Sequence, residues 1–509
     1  MSKGKVYLTG AGPGDEKLLT LKAVEALSSC DVVVYDYLAS LIDIEKYAAA
    51  AEKIFVGKKG GNHTSEQQQI NDLLIKLASE GKNVVRLKGG DPFMFGRGGE
   101  EALALVEAGV EFEVIPGVTS AYAVPAYAGI PITQRGYTSS VTFITGHEDP
   151  AKTQSAIQWE ALAEGDSTLV FLMGIKNLPS ISQNLLKHGK DAETPVAIIR
   201  WGTTSRQQVL EGTLEDITEK ARTAEFKAPA IIVIGSVVEL RKKLKWFEKK
   251  PLFGKRVVVT RSPNQANKLS EALYLLGATP IEIPVIKVEP PDSYEALDKA
   301  IKRQSSSAYY DWLIFTSANG VFKFAERLKE KQLDFRIFKG AKIAAIGPAT
   351  KRCLKSFALH VDLIPDEYIA EGVLSALGDV KGKKILIPRA QVAREILPQE
   401  LKKAGASVDV APAYKTVADT TSGRKKIQAL KGRVDIITFT SSSTVTNFLA
   451  MIGDDRTVLD GVRIAVIGPV SAKTAKENGL NVDIEAEDYT IEGLVKAIIK
   501  YARDFPQAN

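Results

Sequence analysis

A long-period echo constrains the second half of this 509-residue chain more than any other feature. DWLIFTSANGV at 311–321 returns as DIITFTSSSTV at 435–445, which sets Phe315 against Phe439, 124 residues on. IAAIGPAT at 343–350 returns as IAVIGPVS at 464–471, an offset of 121. Tyr368-Ile369-Ala370-Glu371-Gly372 returns at the same offset as Tyr489-Thr490-Ile491-Glu492-Gly493. VVVTRS, with LLGA at 275–278 after it, is matched 128 residues later by ILIPRA, with KAGA at 403–406 after it. Solenoid repeats run to roughly 20–50 residues, so this period is too long for one. The echo reports a duplicated α/β lobe, and two such lobes are expected to enclose a cleft.

The first half carries a different rhythm. VYLTG at 6–10, VVVYD at 32–36, KIFVGKK at 53–59 and NVVRLKGGDP at 83–92 are short apolar strands, several ending in glycine turns. VTFITG at 141–146, TLVFLMG at 168–174, VAIIRWG at 196–202 and PAIIVIG at 229–235 continue the series. Helical segments between most of them predict an α/β domain with a largely parallel sheet, running to about Leu244. ELRKKLKWFEKKP at 239–251 reads as a charged tether or as an exposed helix within one domain. GKRVVVTRS at 254–262 then opens a fresh strand, which favours a boundary there.

Composition excludes several function classes. A hydrophobic share of 45% with 25% charged residues suits a globular protein, and the chain is too long for one core. No stretch reaches the roughly 20 apolar residues of a membrane helix. The start, MSKGKVYLTGAGPGD, lacks the apolar region of a secretory leader, so a cytoplasmic protein with no membrane partner is expected. Cys30, Cys353 and four scattered histidines offer neither a disulfide framework nor ligand spacing, so no metal is expected. A net charge of +6 without a basic stripe argues against nucleic acid.

GAGPGD at 10–15 follows a strand, and Asp36 ends the next one, as in a dinucleotide fold. The spacing differs: the glycines are Gly10, Gly12 and Gly14, and Pro13 removes a backbone donor where a pyrophosphate would need one. A tight turn without ligand stays open on this motif alone. The wider series decides. GAGPGDEKLLTLKA, VVVYDYL, VGKKGGNH, VVRLKGGDPFMFGRGGEE, IPGVTSAYAVPAYAGIPIT, TGH, LVFLMG, WGTTSRQ and APAIIVIG resemble, in order, the uroporphyrinogen-III C-methyltransferases of the corrin-pathway methylase family. The resemblance covers 1–245. It implies S-adenosyl-L-methionine as cofactor, S-adenosyl-L-homocysteine as its product, a homodimer formed through this half, and two methylations of uroporphyrinogen III to give precorrin-2. The module that accompanies such a domain in siroheme synthases, for oxidation and metal insertion, has no counterpart in this sequence.

By that resemblance the cofactor contacts are Pro13, Gly89, Gly90, Asp91, Met94, Thr119, Ser120, Met173, Gly202 and Ala230. Asp36 would be the base that removes the ring proton and Lys58 a proton donor. Residue type alone leaves other readings open. Asp36 at a strand end reads first as a helix N-cap, Lys58 as a solvated charge, the glycines as turn residues and Met173 as core. Arg86, Lys88, Arg97 and Arg135 are further candidates for substrate carboxylates.

In the second half VVVTR, DWLIFTSANGV, AAIGPATKRCL, ILIPRAQVAREILPQEL, APAYKTV, DIITFTSSSTV and IAVIGPVSAKTA resemble the uroporphyrinogen-III synthases. Each FTS or IGP piece is a strand ending at polar residues before a helix, where free N–H groups and the helix dipole can hold carboxylates as well as serve as plain caps. The resemblance implies cyclisation of hydroxymethylbilane with inversion of the last ring. Tyr414 matches the tyrosine suggested to assist the leaving hydroxyl. Thr350 and Ser471 match polar cleft positions, although relatives often carry threonine at the latter. Thr316, Ser317, Thr440, Ser441 and Ser442 are candidate carboxylate binders. The architecture expected is a tetrapyrrole-methylase α/β domain at 1–245, a linker at 246–254, and a two-lobed α/β domain at 255–509. Lobe one would take 255–290 with 416–509, and lobe two 295–410. A methyltransferase whose second half is a regulatory or ligand-sensing module is the alternative.

Overall fold

The computed structural model describes residues 4–39, 42, 44–57, 63–147, 156–260, 263–307, 309–366, 370–393, 395–418, 427, 430, 432 and 434–505. The chain folds into two compact units: 1–256 with 272–279 and 502–509, and 257–271 with 280–501.

The first unit holds two five-stranded sheets. Strands β1 (Lys5–Gly10), β2 (Val32–Tyr35), β3 (Glu52–Phe55), β4 (Val84–Lys88) and β5 (Glu111–Ile115) form the first, in the order β3-β2-β4-β1-β5. All its pairings are parallel. Val33, Val85 and Leu87 pack into one apolar cluster, while Val32, Val34 and Val84 pack into another, so both faces are covered. The register sets Gly10 level with Lys88 and Thr9 level with Ile115. The loops that leave β1, β4 and β5 therefore rise from one edge.

β6 (Val141–Thr145), β7 (Thr168–Leu172), β8 (Pro195–Arg200), β9 (Gln208–Thr213) and β10 (Ala230–Ile234) form the second sheet, ordered β6-β7-β10-β8-β9. Here the expected parallel arrangement gives way: only β6–β7 is parallel, and β10–β7, β10–β8 and β8–β9 are antiparallel. The short stretch 201–207 between β8 and β9 cannot make the crossover that parallel neighbours need. The helix Ser120–Tyr127 rests on this sheet, with Ala121 and Val124 buried among Leu172, Ile199 and Ile231. The segment read as a tether and linker is folded onto this unit. Arg241 is buried and paired with Glu211 at 2.8 Å and Glu248 at 2.7 Å, and Phe247 stacks edge-on against Tyr127.

The second unit realises the duplication. β11 (Arg256–Val259), β12 (Thr279–Glu282), β13 (Ile286–Glu289), β14 (Trp312–Phe315), β15 (Lys342–Ala345), β16 (Lys384–Ala390), β17 (Ser407–Ala418), β18 (Ile436–Phe439), β19 (Arg463–Val466) and β20 (Ile484–Glu485) make two sheets, β12-β11-β18-β19-β20 and β13-β17-β16-β14-β15. The echoed residues are equivalent in space as well as in sequence. Phe315 meets Phe324 with ring centroids 5.7 Å apart, and Phe439 meets Phe448 at 5.4 Å, both edge-on. Numbered in chain order, the first sheet runs 2-1-3-4-5, a doubly wound order whose ligand position is the crevice at the strand tips where the order reverses. In the second sheet β16, β14 and β15, the echoes of β11, β18 and β19, are neighbours in the same order, but the chain enters at the antiparallel edge strand β13 and reaches β16 and β17 last. β13 pairs antiparallel with Lys415–Ala418, so the strand pairing of the second lobe spans 286–418, beyond the expected 295–410 on both sides.

Candidate active sites

In the first unit three strand tips meet backbone to backbone. Ala11 N–H donates to Lys88 O at 2.7 Å, and Gly12 and Gly90 exchange hydrogen bonds of 3.1 and 2.7 Å. A Cβ on Gly10 would lie 2.5 Å from both Gly117 Cα and Gly90 O, so neither neighbour leaves room for a side chain. Gly90 itself has φ +70°, a conformation that favours glycine, and faces the start of the helix Ser120–Tyr127. Thr119 caps that helix, accepting from Ala121 N–H at 3.3 Å. Asp91 clamps two of the loops: one carboxylate oxygen accepts from Phe93 N–H at 2.8 Å and the other from Gly117 N–H at 2.9 Å.

The second sheet closes on the same place. Asp15 N–H donates to Thr203 Oγ1 at 3.2 Å, and Tyr127 donates its hydroxyl to Asp15 at 2.7 Å. Gly202 lies against Val124 of the same helix, where a Cβ would overlap the valine methyls. Met173, Trp201 and Thr203 all take positive φ (57°, 49° and 66°), so backbone strain collects at the tips of β7 and β8. Met173 is 52% exposed, which overturns its reading as core. Pro13, Gly89, Gly90, Asp91, Met94, Thr119 and Ser120 thus follow the ends of β1, β4 and β5, while Met173, Gly202 and Ala230 lie at the ends of β7, β8 and β10.

Asp36 follows β2 and does two things at once. One oxygen accepts from Ala39 N–H at 3.1 Å, a local cap of the kind its position suggested, and the other faces Arg86 Nη2 at 3.4 Å. Lys58 lies outside the described residues. The structure corrects two of the four proposed carboxylate binders. Arg86 and Lys88 are buried, 3% and 5% exposed, and are committed to Glu101, at 3.2 and 2.8 Å, rather than open to a substrate. Burial, and after it the Arg86 charge, holds the Lys88 pKa below its ordinary value. Arg97 forks onto Glu100 at 2.9 and 2.7 Å, and Arg135 is exposed on a turn. Glu101 went unrecognised in the sequence. Its only signal is a pair of carboxylates, Glu100-Glu101, a dozen residues after two basic strand positions.

In the second unit four helices start directly at strand tips: Ala318–Glu330 and Ser442–Ile452 capped by Ser317 and Ser441, and Pro348–Ser356 and Pro469–Glu477 after Gly347 and Gly468. Ser317 accepts from Gly320 N–H at 3.0 Å, and its Oγ lies 3.0 Å from the Tyr414 hydroxyl. Thr316 precedes it at the same tip. A bulge shifts the β16–β17 register here, Arg389 facing Pro412 and Ala390 facing Tyr414, which re-seats the tyrosine by one position. Tyr414 is 6% exposed, and burial raises its pKa. In the other lobe Ser441 forms a capping box with Thr444, and Ser442 accepts from Thr474 Oγ1 at 2.9 Å. Thr440 is buried at the same tip. Thr350 and Ser471 occupy equivalent first-turn positions and are buried. Of the Tyr368 echo, residues 368 and 369 lie outside the described residues. No helix among the described residues is long and apolar enough to cross a membrane.

Residues 5–218 match the family of Tetrapyrrole (Corrin/Porphyrin) Methylases, and residues 267–496 match Uroporphyrinogen-III synthase HemD. The chain is 39% identical over 505 residues to the porphyrin biosynthesis protein HemD of Ruminiclostridium josui, covering 98% of each. It is 56% identical over 237 residues to the S-adenosyl-L-methionine-dependent uroporphyrinogen III methyltransferase of Methanosarcina barkeri, which is 47% of this chain and 93% of that one. The solved uroporphyrin-III C-methyl transferase of Thermus thermophilus, complexed with S-adenyl homocysteine, is 39% identical over 47% of this chain and 100% of its own, with a TM-score of 0.40. The chain therefore belongs to the tetrapyrrole methylases through its first half and to the uroporphyrinogen-III synthases through its second, a two-part methyltransferase and synthase-like protein of tetrapyrrole biosynthesis.

Proposed function

We propose that the second half cyclises hydroxymethylbilane to uroporphyrinogen III, inverting the last ring, and that the first half methylates this product twice to give precorrin-2. The domain division follows, with 1–245 as the methyltransferase, 246–254 as the connection and 255–509 as the synthase. The observation that carries the reading is the junction of Gly10, Gly90 and Gly117 beside a helix N-terminus, where a Cβ at Gly10 or Gly117 would strike backbone and Gly90 holds φ +70°. Such a junction leaves bare backbone against which a cofactor can lie.

S-adenosyl-L-methionine, when bound, supplies an already activated methyl group. The protein's own work is to align and to exclude water. Pro13, Gly89, Gly90, Asp91, Met94, Thr119, Ser120, Met173, Gly202 and Ala230 hold the cofactor. Asp36 takes the proton that carbon methylation releases, and Lys58 returns one. In the second half Tyr414, kept protonated by burial, donates to the departing hydroxyl, with the Ser317 hydroxyl as its hydrogen-bond partner when the substrate is away. Thr316, Ser317, Ser441 and Ser442 with the helix N-termini receive substrate carboxylates, at roughly 0.3–1 kcal/mol each. Thr350 and Ser471, on the first turns of the two helices that follow Gly347 and Gly468, are further substrate-binding positions. The first half pairs two copies into a homodimer.

The test supplies hydroxymethylbilane to the full chain with and without S-adenosyl-L-methionine. Uroporphyrinogen III without the cofactor, and precorrin-2 with it, are expected. Only the type-I isomer at the spontaneous rate would sink the synthase reading and leave the second half a ligand-sensing module.

A further inference from the structure

We infer that Glu101 is a positioning residue of the methylation site, a fully buried carboxylate that sets the aim of Arg86 and through it the orientation of Asp36. The inference rests on the reading of Asp36 as the base. Glu101 has 0% exposure and sits on the helix Gly98–Glu107. One oxygen accepts from three donors: Lys88 Nζ at 2.8 Å, Arg86 Nε at 3.2 Å and Gln67 Nε2 at 3.2 Å. Arg86 and Lys88 are two apart on β4 and so share a face of the sheet. Two cations buried side by side repel and are costly to desolvate, and the anion between them is what makes both tolerable.

The Arg86 guanidinium is used along its whole fork. Nε is on Glu101, Nη1 is within 3.0 Å of Leu87 O and 3.5 Å of Val34 O, and Nη2 faces Asp36 at 3.4 Å. Because the group is planar and rigid, fixing Nε and Nη1 leaves Nη2 no freedom. Asp36 is then held at both oxygens, one by Ala39 N–H and one by Arg86, with its remaining lone pairs directed by that hold. A buried ionic cluster of this kind adds little stability compared with an apolar one. Its consequence is geometric, at a site where misplacement by about 1 Å can cost about a hundred-fold in rate.

Glu101→Gln tests this in the full chain, because it keeps the shape and one acceptor while removing the charge. Methylation kcat should fall about ten- to a hundred-fold, with KM for uroporphyrinogen III and the affinity for S-adenosyl-L-homocysteine within about three-fold and ring closure unchanged. Combined with Asp36→Asn, it should lower the rate no further than Asp36→Asn alone, the sign of residues acting as one unit. A kcat within about two-fold of the parent, or losses that multiply in the double variant, would overturn the role. If Glu101→Gln fails to bind S-adenosyl-L-homocysteine, Arg86→Lys carries the test. It keeps the charge and loses the fork, and undiminished kcat there would also overturn it. An Asp36→Asn variant with full activity would instead remove the base itself and the inference with it, whereas an inactive Asp36→Asn beside a fully active Glu101→Gln would remove the positioning role alone.

Discussion

The two candidate sites solve the same problem, holding a ligand at strand tips, with opposite materials. In the first unit the tips of β1, β4 and β5 touch through glycine backbones, and Asp91 ties two of them together. In the second unit the tips of β14 and β18 carry side-chain hydroxyls, each first engaged as a helix cap. A Cβ added at Gly10 would lie 2.5 Å from backbone that cannot yield, whereas a cap can lose its hydroxyl to water. The first site should therefore be brittle and the second tolerant.

Gly10→Ala is the most severe way to try this comparison. Its methyl group would meet backbone on two sides, so methylation should fall more than about a hundred-fold while hydroxymethylbilane is still cyclised. Retention of methylation with normal S-adenosyl-L-homocysteine binding would break the contrast. Asp91→Ala comes next, with an expected loss of about ten- to a hundred-fold in methylation and ring closure preserved, read in parallel assays on one preparation. Equal loss of both activities would point to general unfolding.

Tyr414→Phe should do the reverse, lowering synthase turnover by about ten-fold and leaving methylation of supplied uroporphyrinogen III unaltered. The pH profile sharpens this. Burial raises the Tyr414 pKa above the ordinary phenol value of about 10. The neutral hydroxyl then contributes stability that is complete below about pH 10 and is lost as pH climbs through the folded-state value. Synthase activity should thus show no loss from this group up to about pH 10, and a decline near pH 8 without unfolding, absent in Tyr414→Phe, would count against it.

The smallest effects separate the two lobes. Ser317→Ala and Ser441→Ala should each cost about 1 kcal/mol as lost caps, visible as similar falls in melting temperature. Both should raise KM through the lost carboxylate contact, but only Ser317→Ala, which removes the partner of Tyr414, should also change synthase kcat, by a few-fold on the scale of one hydrogen bond of about 1 kcal/mol. Identical kinetics for the two variants would mean that duplication of the fold carried duplication of the role.

What was legible in the residues was whatever depends on short-range pattern. The echo of Phe315 in Phe439 survives as an equivalent ring pair in each lobe, with Phe324 and with Phe448, because strand, turn and helix are contiguous there. In the first unit two strands were not anticipated. EFEVI at 111–115 hides behind its acids, which turn out to bind Lys5 at 3.0 Å each, and QVLEGT at 208–213 is a polar edge strand of the second sheet. The antiparallel half of that sheet was equally hidden, since alternation of apolar strands does not report their direction. Arg86 and Lys88 looked like open cations because their partner lies on another element, brought in only by packing. Thr350 and Ser471 sit on the first turns as their pattern suggests, and both are buried.

The order in which the chain passes through its twin sheets has a bearing on how it is made. One lobe is continuous from β13 to β17, while its twin starts with β11 and β12 and is finished only by β18, β19 and β20. During synthesis from the N-terminus, the continuous lobe has all its strands once Ala418 has emerged. The other has only β11 and β12, paired with each other, until β18 to β20 follow, so a nascent chain spends that interval with one lobe complete and an open sheet edge at β11 on its neighbour.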